Sequence, residues 1–271
     1  MRIVSLAQNV PGPVALARLV RDGAMAIKIE APGGDPLARI CKSWYDELHA
    51  GVVVERLDLK SADGISTLKM RLASSDLFLA SQRPAALARL GLDADSLRRE
   101  LPHLRHLNIV GDTERPEHPG HDLTYQAETG LLNVRAQLAA AALPLTLVAD
   151  MVGAERAHAA AIALMTLPPG SSRVVGLADA LRDLAAPLRQ GLTAPGGPLG
   201  GGNPAYALYA AGDGVIAVAA LEPHFRARLY EGLDLADGSD PSAMFATKTA
   251  AEWEEWAAAR DLPLVAVRTR T

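Results

Sequence analysis

Apolar and polar positions in the first part of the chain fall into short strand-like runs separated by longer helix-like ones. Ile3 to Ala7, Ala26 to Glu30, Glu55 to Leu59, Leu77 to Ala80, Leu107 to Val110 and Thr146 to Ala149 are brief and aliphatic, as strands buried on both faces are. Between them, Pro13 to Arg21, Ala62 to Leu72, Ala85 to Leu90, Ser96 to Leu101, Leu123 to Leu132 and Val152 to Leu164 carry helical patterns. This βαβ rhythm predicts an α/β fold of Rossmann-like type, an open and mostly parallel sheet with helices on both faces.

The rhythm breaks at Thr193 to Pro204, TAPGGPLGGGNP, whose glycines and prolines suit neither helix nor strand. We therefore expect a large α/β domain over 1–192, a Gly/Pro-rich linker over 193–204 and a small α+β domain over 205–271. Within the latter, Tyr206 to Ala210 and Val215 to Ala219 flank Ala-Gly-Asp-Gly, a hairpin signal. Helices are expected at Pro223 to Glu231 and around Ala250 to Arg260.

Composition narrows the class. The chain has 271 residues and 49% apolar content, enough for a sizeable core. Its one cysteine, Cys41, cannot form an internal disulfide, which suits a reducing compartment, and cytoplasm is the expected location. The N-terminus lacks the features of a signal peptide, and the most apolar run, Leu138 to Ala149, is too short to span a bilayer, so no membrane partner is expected. Net charge is −4 with Lys and Arg scattered, which argues against nucleic acid and for a small-molecule partner.

Three segments could carry chemistry. Pro119-Gly120-His121-Asp122 stands at the start of a helix, where Asp122 can cap free amides and His121 can serve as a base near neutral pH; taken alone, such a pair is more often plain capping. The run ending Ala149-Asp150 reads as a strand that delivers a carboxylate to its C-terminal end just before a helix, the edge at which open α/β sheets bind ligands. Leu221-Glu222-Pro223-His224-Phe225 closes a strand and opens a helix, an ordinary place for Glu before Pro. No Lys-Ser or Lys-Thr follows the glycines of 199–203, no Gly-x-Gly-x-x-Gly fingerprint is present, and no Cys/His cluster has metal-ligand spacing. A P-loop, a dehydrogenase and a metal site are therefore not expected.

The ordered set of segments resembles the family III CoA-transferases (CaiB/BaiF), and within them the α-methylacyl-CoA racemases. It runs through Val10-Pro11-Gly12-Pro13, Ile27-Lys28-Ile29-Glu30, Gly33-Gly34-Asp35, Leu57-Asp58-Leu59-Lys60, Arg83-Pro84 with Leu87 to Leu92, Gly120-His121-Asp122, Ala149-Asp150, Asp179-Ala180, Gly200 to Tyr206 and Leu221 to Phe225. The resemblance implies an acyl-CoA substrate, no cofactor beyond the coenzyme A of that substrate, and a homodimer. It implies that Asp150 is either the transferase nucleophile or a racemase proton donor and acceptor, and that His121, Asp122 and Glu222 complete the racemase set. On that pattern His121 and Asp150 work on opposite faces of the α-carbon, Glu222 orients the imidazole and Asp122 supports it. Amides at the helix start near Asp150 and Gly153 would receive the enolate oxygen. Leu57, Lys60, Arg83 and Arg89 align with segments that line the CoA pocket. The stretch between Asp35 and Leu57 is shorter than the family pattern, and the chain ends near Thr271 without the long C-terminal segment of relatives. A noncatalytic CoA-binding protein therefore stands as a third reading beside racemase and transferase.

Overall fold

The computed structural model describes residues 1–132 and 143–268. The part of the Leu138 to Ala149 run up to residue 142 lies outside them. The chain divides into two compact units, Met1–Ala185 and Ala186–Thr271.

The first unit is built on six parallel strands: β1 (Arg2–Ser5), β2 (Met25–Glu30), β3 (Val52–Arg56), β4 (Leu77–Ala80), β5 (Arg105–Val110) and β6 (Ser172–Gly176), in the order β3-β2-β1-β4-β5-β6. Side chains alternate across the sheet, so each central strand feeds two cores. On one face Ile3, Leu77, Leu79, Leu107 and Ile109 pack against α1 (Pro11–Arg21), α8 (Val148–Met165) and α9 (Leu177–Leu184). On the other, Val4, Phe78 and Ala80 meet Leu68 and Leu72 of α4 (Ala62–Ala73), Leu87 of α5 (Pro84–Arg89) and Leu97 of α6 (Ala94–Glu100). Leu68 and Leu72 are fully buried, each stabilising the fold by about 2 kcal/mol relative to exposure. This is the open parallel sheet covered on both faces that the pattern predicts.

Two corrections concern the sheet. Thr146 to Ala149 is not a strand: residues 143–147 are irregular, and α8 begins at Val148. A short apolar run does not distinguish a buried strand from a buried helix, and the Ala-rich α8 buries Ala149, Ala154, Ala157 and Ala161. The sixth strand is instead Ser172–Gly176, paired with β5 from His106↔Ser172 to Val110↔Gly176. Two short helices, α2 (Pro36–Ile40) and α3 (Lys42–Leu48), fill the connection from β2 to β3, and α7 (Asp122–Thr129) follows β5.

In the second unit, after α10 (Ala186–Arg189), β7 (Tyr206–Ala210) and β8 (Val215–Ala219) form the expected hairpin, and β9 (Leu264–Ala266) adds a third antiparallel strand. These strands cover α11 (Pro223–Leu233), α12 (Ser242–Phe245) and α13 (Ala250–Ala258) around Phe245 and Trp253. The 193–204 stretch lies inside this unit as a series of hydrogen-bonded turns, with Gly196 donating to Gly200 and Leu199 to Leu192, each at 2.8 Å. A Cβ on Gly200 would come within 1.8 Å of the Ala194 carbonyl, so only glycine fits there. Among the described residues no helix is long and apolar enough to cross a membrane.

Candidate active site

β1 and β4 are adjacent in the sheet, yet the chain leaves them toward opposite ends of it. Open α/β sheets leave a crevice beyond the carboxyl ends of their strands at such a reversal. Here the crevice is a cavity of about 310 Å³ walled by Gln8 and Asn9 after β1, Ser81 to Arg83 after β4, Ile109 to Gly111 at the end of β5, and His121, Tyr125 and Asp150 from α7 and α8.

Its walls are fixed by hydrogen bonds. Gln8 N–H donates to Ser81 Oγ at 3.0 Å, and Asn9, held at φ 63°, donates its N–H to Asp35 Oδ1 at 3.2 Å. Asp35 also caps α2 through Leu37 N–H at 2.9 Å and accepts from Lys28 Nζ at 2.5 Å. Lys28 is fully buried, paired with Glu30 at 3.2 Å as well as with Asp35, and its third neighbour is His49 Nε2 at 2.9 Å. An ammonium can only donate, so Nε2 accepts and the ring proton sits on Nδ1, 2.6 Å from the Tyr45 carbonyl. Burial likewise pushes His49 toward its neutral form. Asp35 thus joins a buried ionic cluster to the cavity wall. On the opposite side, Asp112 follows β5 and accepts from Arg182, Arg115 and Glu114 N–H, with Arg182 foremost in holding its carboxyl well below the usual range. That pairing ties the segment leading to His121 onto α9.

His121 is the N-cap residue of α7. Its N–H donates to Thr124 Oγ1 at 3.0 Å, and the Thr124 hydroxyl donates back to the His121 carbonyl at 2.8 Å. Thr124 therefore secures the helix start, and the imidazole is left exposed on the cavity wall. Asp122 does not cap its own helix. Its buried carboxylate reaches α8, where Oδ1 accepts Ala149 N–H at 2.6 Å and Asp150 N–H at 3.2 Å, while Oδ2 accepts from Gln126 Nε2 at 2.6 Å. The local N-cap of α8, Leu147, offers no side-chain acceptor, so a residue 27 positions earlier in the chain supplies the cap. This corrects the expectation that amides at the start of α8 await a substrate oxygen, since those of Ala149 and Asp150 are occupied.

Asp150 sits in the first turn of α8. Burial chiefly, and the neighbouring Asp122 charge second, push its carboxyl up to about 7. Tyr125 lies one helical turn beyond His121 on α7, and burial followed by the Asp150 charge raises its phenol. Sequence reasoning missed Tyr125; its i+4 spacing from His121 was the available signal, since such residues share a helix face.

The first unit thus brings His121 and Asp150 to one cavity, with Asp122 buried behind them on the α8 amides. Arg83 lines the same cavity as the exposed N-cap of α5. Leu57, half-buried, and Lys60, exposed, follow β3 at the same carboxyl edge without lining the cavity, and Arg89 is exposed in the last turn of α5. Glu222 belongs to the second unit, where it is the exposed N-cap of α11 and makes no side-chain capping bond.

The family model for CoA-transferase family III matches residues 1–271. Human α-methylacyl-CoA racemase is 30% identical over 93% of this chain and 72% of its own length. Cinnamoyl-CoA:phenyllactate CoA-transferase from Clostridium sporogenes is 33% identical over 46% of this chain and 34% of its own length. Among solved structures, a hypothetical protein from Mycobacterium tuberculosis superposes with a TM-score of 0.84 at 22% identity, covering 99% of this chain and 84% of the other. A CaiB/BaiF family protein from Brucella suis does so at 0.78 and 19% identity, covering 99% and 83%.

Proposed function

Because the chain belongs to CoA-transferase family III, we propose that it acts on acyl-CoA thioesters and, specifically, interconverts the epimers of a 2-methylacyl-CoA through an enolate. The observation that carries this reading is that an imidazole and a near-neutral carboxyl, His121 and Asp150, line one cavity at the carboxyl edge of the sheet. The α-proton of a thioester is weakly acidic, so it must be taken by a positioned base and returned by a positioned acid of suitable strength. One group removes the proton from one face, the C–H electron pair forms the enolate, and the other group delivers a proton to the opposite face.

A carboxyl raised to about 7 suits this work, because near neutral pH both its acid and its base form are within reach and it can serve in either direction. Burial first and the neighbouring Asp122 second produce that value, and the α8 amides of Ala149 and Asp150 hold the Asp122 carboxylate in place beside it. The extent of similarity to the human racemase, across 93% of this chain, favours the same reading.

The second reading is transfer of coenzyme A between carboxylic acids with Asp150 as nucleophile, which the similarity of part of the chain to transferases supports. A nucleophilic carboxylate must be ionised, and burial works against that below about pH 7. The homodimer belongs to the same proposal, with light scattering expected to give twice the chain mass.

Incubation in heavy water with a 2-methylacyl-CoA of one configuration tests the reaction. Deuterium at the α-carbon together with appearance of the second epimer is expected. Transfer of coenzyme A to a second acid with a covalent adduct trapped on Asp150, and no deuterium uptake, would replace the racemase reading by the transferase one. Binding with neither reaction would leave a noncatalytic acyl-CoA-binding protein.

A further inference from the structure

Enolate chemistry needs a donor for the oxygen on which charge develops, and the α8 amides of Ala149 and Asp150 already donate to Asp122 Oδ1. The cavity holds another donor. Tyr125 is 6% exposed and lines the cavity with His121 and Asp150, with its hydroxyl able to donate into it. A hydroxyl facing a cavity from a buried ring is a fixed donor for whatever binds there.

The hydroxyl also has its place kept open by two glycines. A Cβ on Gly111, at the end of β5, would lie 2.1 Å from Tyr125 Oη, and one on Gly120 would lie 2.5 Å from it. Any side chain at either position would push the phenol out. The ring is held by its burial in the core that also contains Leu107, Ile109 and Ala149, so the oxygen is presented at the cavity rim by a rigid support.

On the acyl-CoA reading above, we propose that Tyr125 contacts the substrate and that its phenol donates a hydrogen bond to the thioester carbonyl oxygen and then to the enolate oxygen. As the α-C–H bond breaks, its proton passes to His121 or Asp150, the freed pair forms the C=C bond, and the carbonyl π pair moves onto oxygen. The phenol proton stays on Tyr125 throughout. Burial and the Asp150 charge hold that proton firmly, so the group remains a donor across the neutral range.

A substrate that cannot react tests binding apart from turnover. Pivaloyl-CoA labelled with ¹³C at its carbonyl has no α-proton, and its bound carbonyl stretch can be isolated by difference infrared spectroscopy. A shift to lower frequency is expected in the wild-type protein and its loss in Tyr125→Phe, which keeps the ring between the glycines. With 2-methylacyl-CoA, Tyr125→Phe should lower kcat for deuterium exchange by roughly 100- to 1000-fold, the usual effect of removing one such donor, with KM within about threefold. Gly111→Ala should act like Tyr125→Phe, and adding it to Tyr125→Phe should cost less than about threefold more. A shift retained in Tyr125→Phe, or an exchange rate within tenfold of wild type, overturns the proposal. If wild-type protein binds the probe without any shift, Tyr125 alone loses its role; if it binds no acyl-CoA at all, the functional reading falls and this inference with it.

Discussion

Replacing Asp150 with asparagine is expected to abolish proton exchange and yet to stabilise the protein above neutral pH. The carboxyl is raised from 3.8 to about 7 in the folded chain, first by burial and then by the Asp122 charge. Between those two values the folded state holds a proton that the unfolded state releases. Its stabilising contribution is therefore fully present below about pH 4 and is lost as pH rises through 7. A pKa difference of this size corresponds to about 4 kcal/mol. Asparagine has nearly the same shape and no charge, so its contribution does not change with pH. Urea denaturation of both proteins at pH 4.5 and pH 8 isolates the effect, because titrating groups away from Asp150 contribute alike to both. The variant should gain about 3 to 4 kcal/mol on the wild type between the two conditions, while deuterium exchange falls to background. A relative change below about 1 kcal/mol would mean that Asp150 is not the proton-holding group described above, and the argument for its dual role as acid and base would lose its basis.

Asp122→Asn removes the second cause of that shift, so the Asp150 carboxyl, followed by carbon NMR, should titrate at lower pH; Asp122→Ala also uncaps α8 and should cost about 1 to 2 kcal/mol in denaturant melts. With His121→Ala, epimer interconversion should cease while slow deuterium uptake into one epimer persists through Asp150, and equal loss of both would contradict the two-face assignment. Lys28→Met leaves Glu30 and Asp35 buried without their cation, which should destabilise by about 3 to 5 kcal/mol in chemical denaturation. Arg83→Glu should raise KM for acyl-CoA severalfold with little change in kcat, and an unchanged KM would remove Arg83 from the substrate site.

Much of the fold is legible in the sequence because its signals are local. The β4 run Leu77 to Ala80 and the hairpin strands Tyr206 to Ala210 and Val215 to Ala219 are bounded as the apolar pattern predicts. Periodicity and turn chemistry act within a few residues, and they suffice for most of the sheet and its covering helices. They fail at 146–149, where an apolar run belongs to a helix whose cap is supplied by Asp122 from 27 residues away. They fail also at β6, a five-residue strand that exists by pairing with β5.

The candidate site divides the same way. The sequence by itself, through local motifs and their order, singled out His121 and Asp150 for proton transfer, with Asp122 and Glu222 to support them. Only the tertiary structure decided that Asp122 is spent on the amides of α8, that burial and then this neighbouring charge raise Asp150 to about 7, and that Gly111 and Gly120 make room for the Tyr125 hydroxyl. Proton affinity and hydrogen-bond occupancy depend on which groups approach one another through space, and strands and helices far apart along the chain determine that approach.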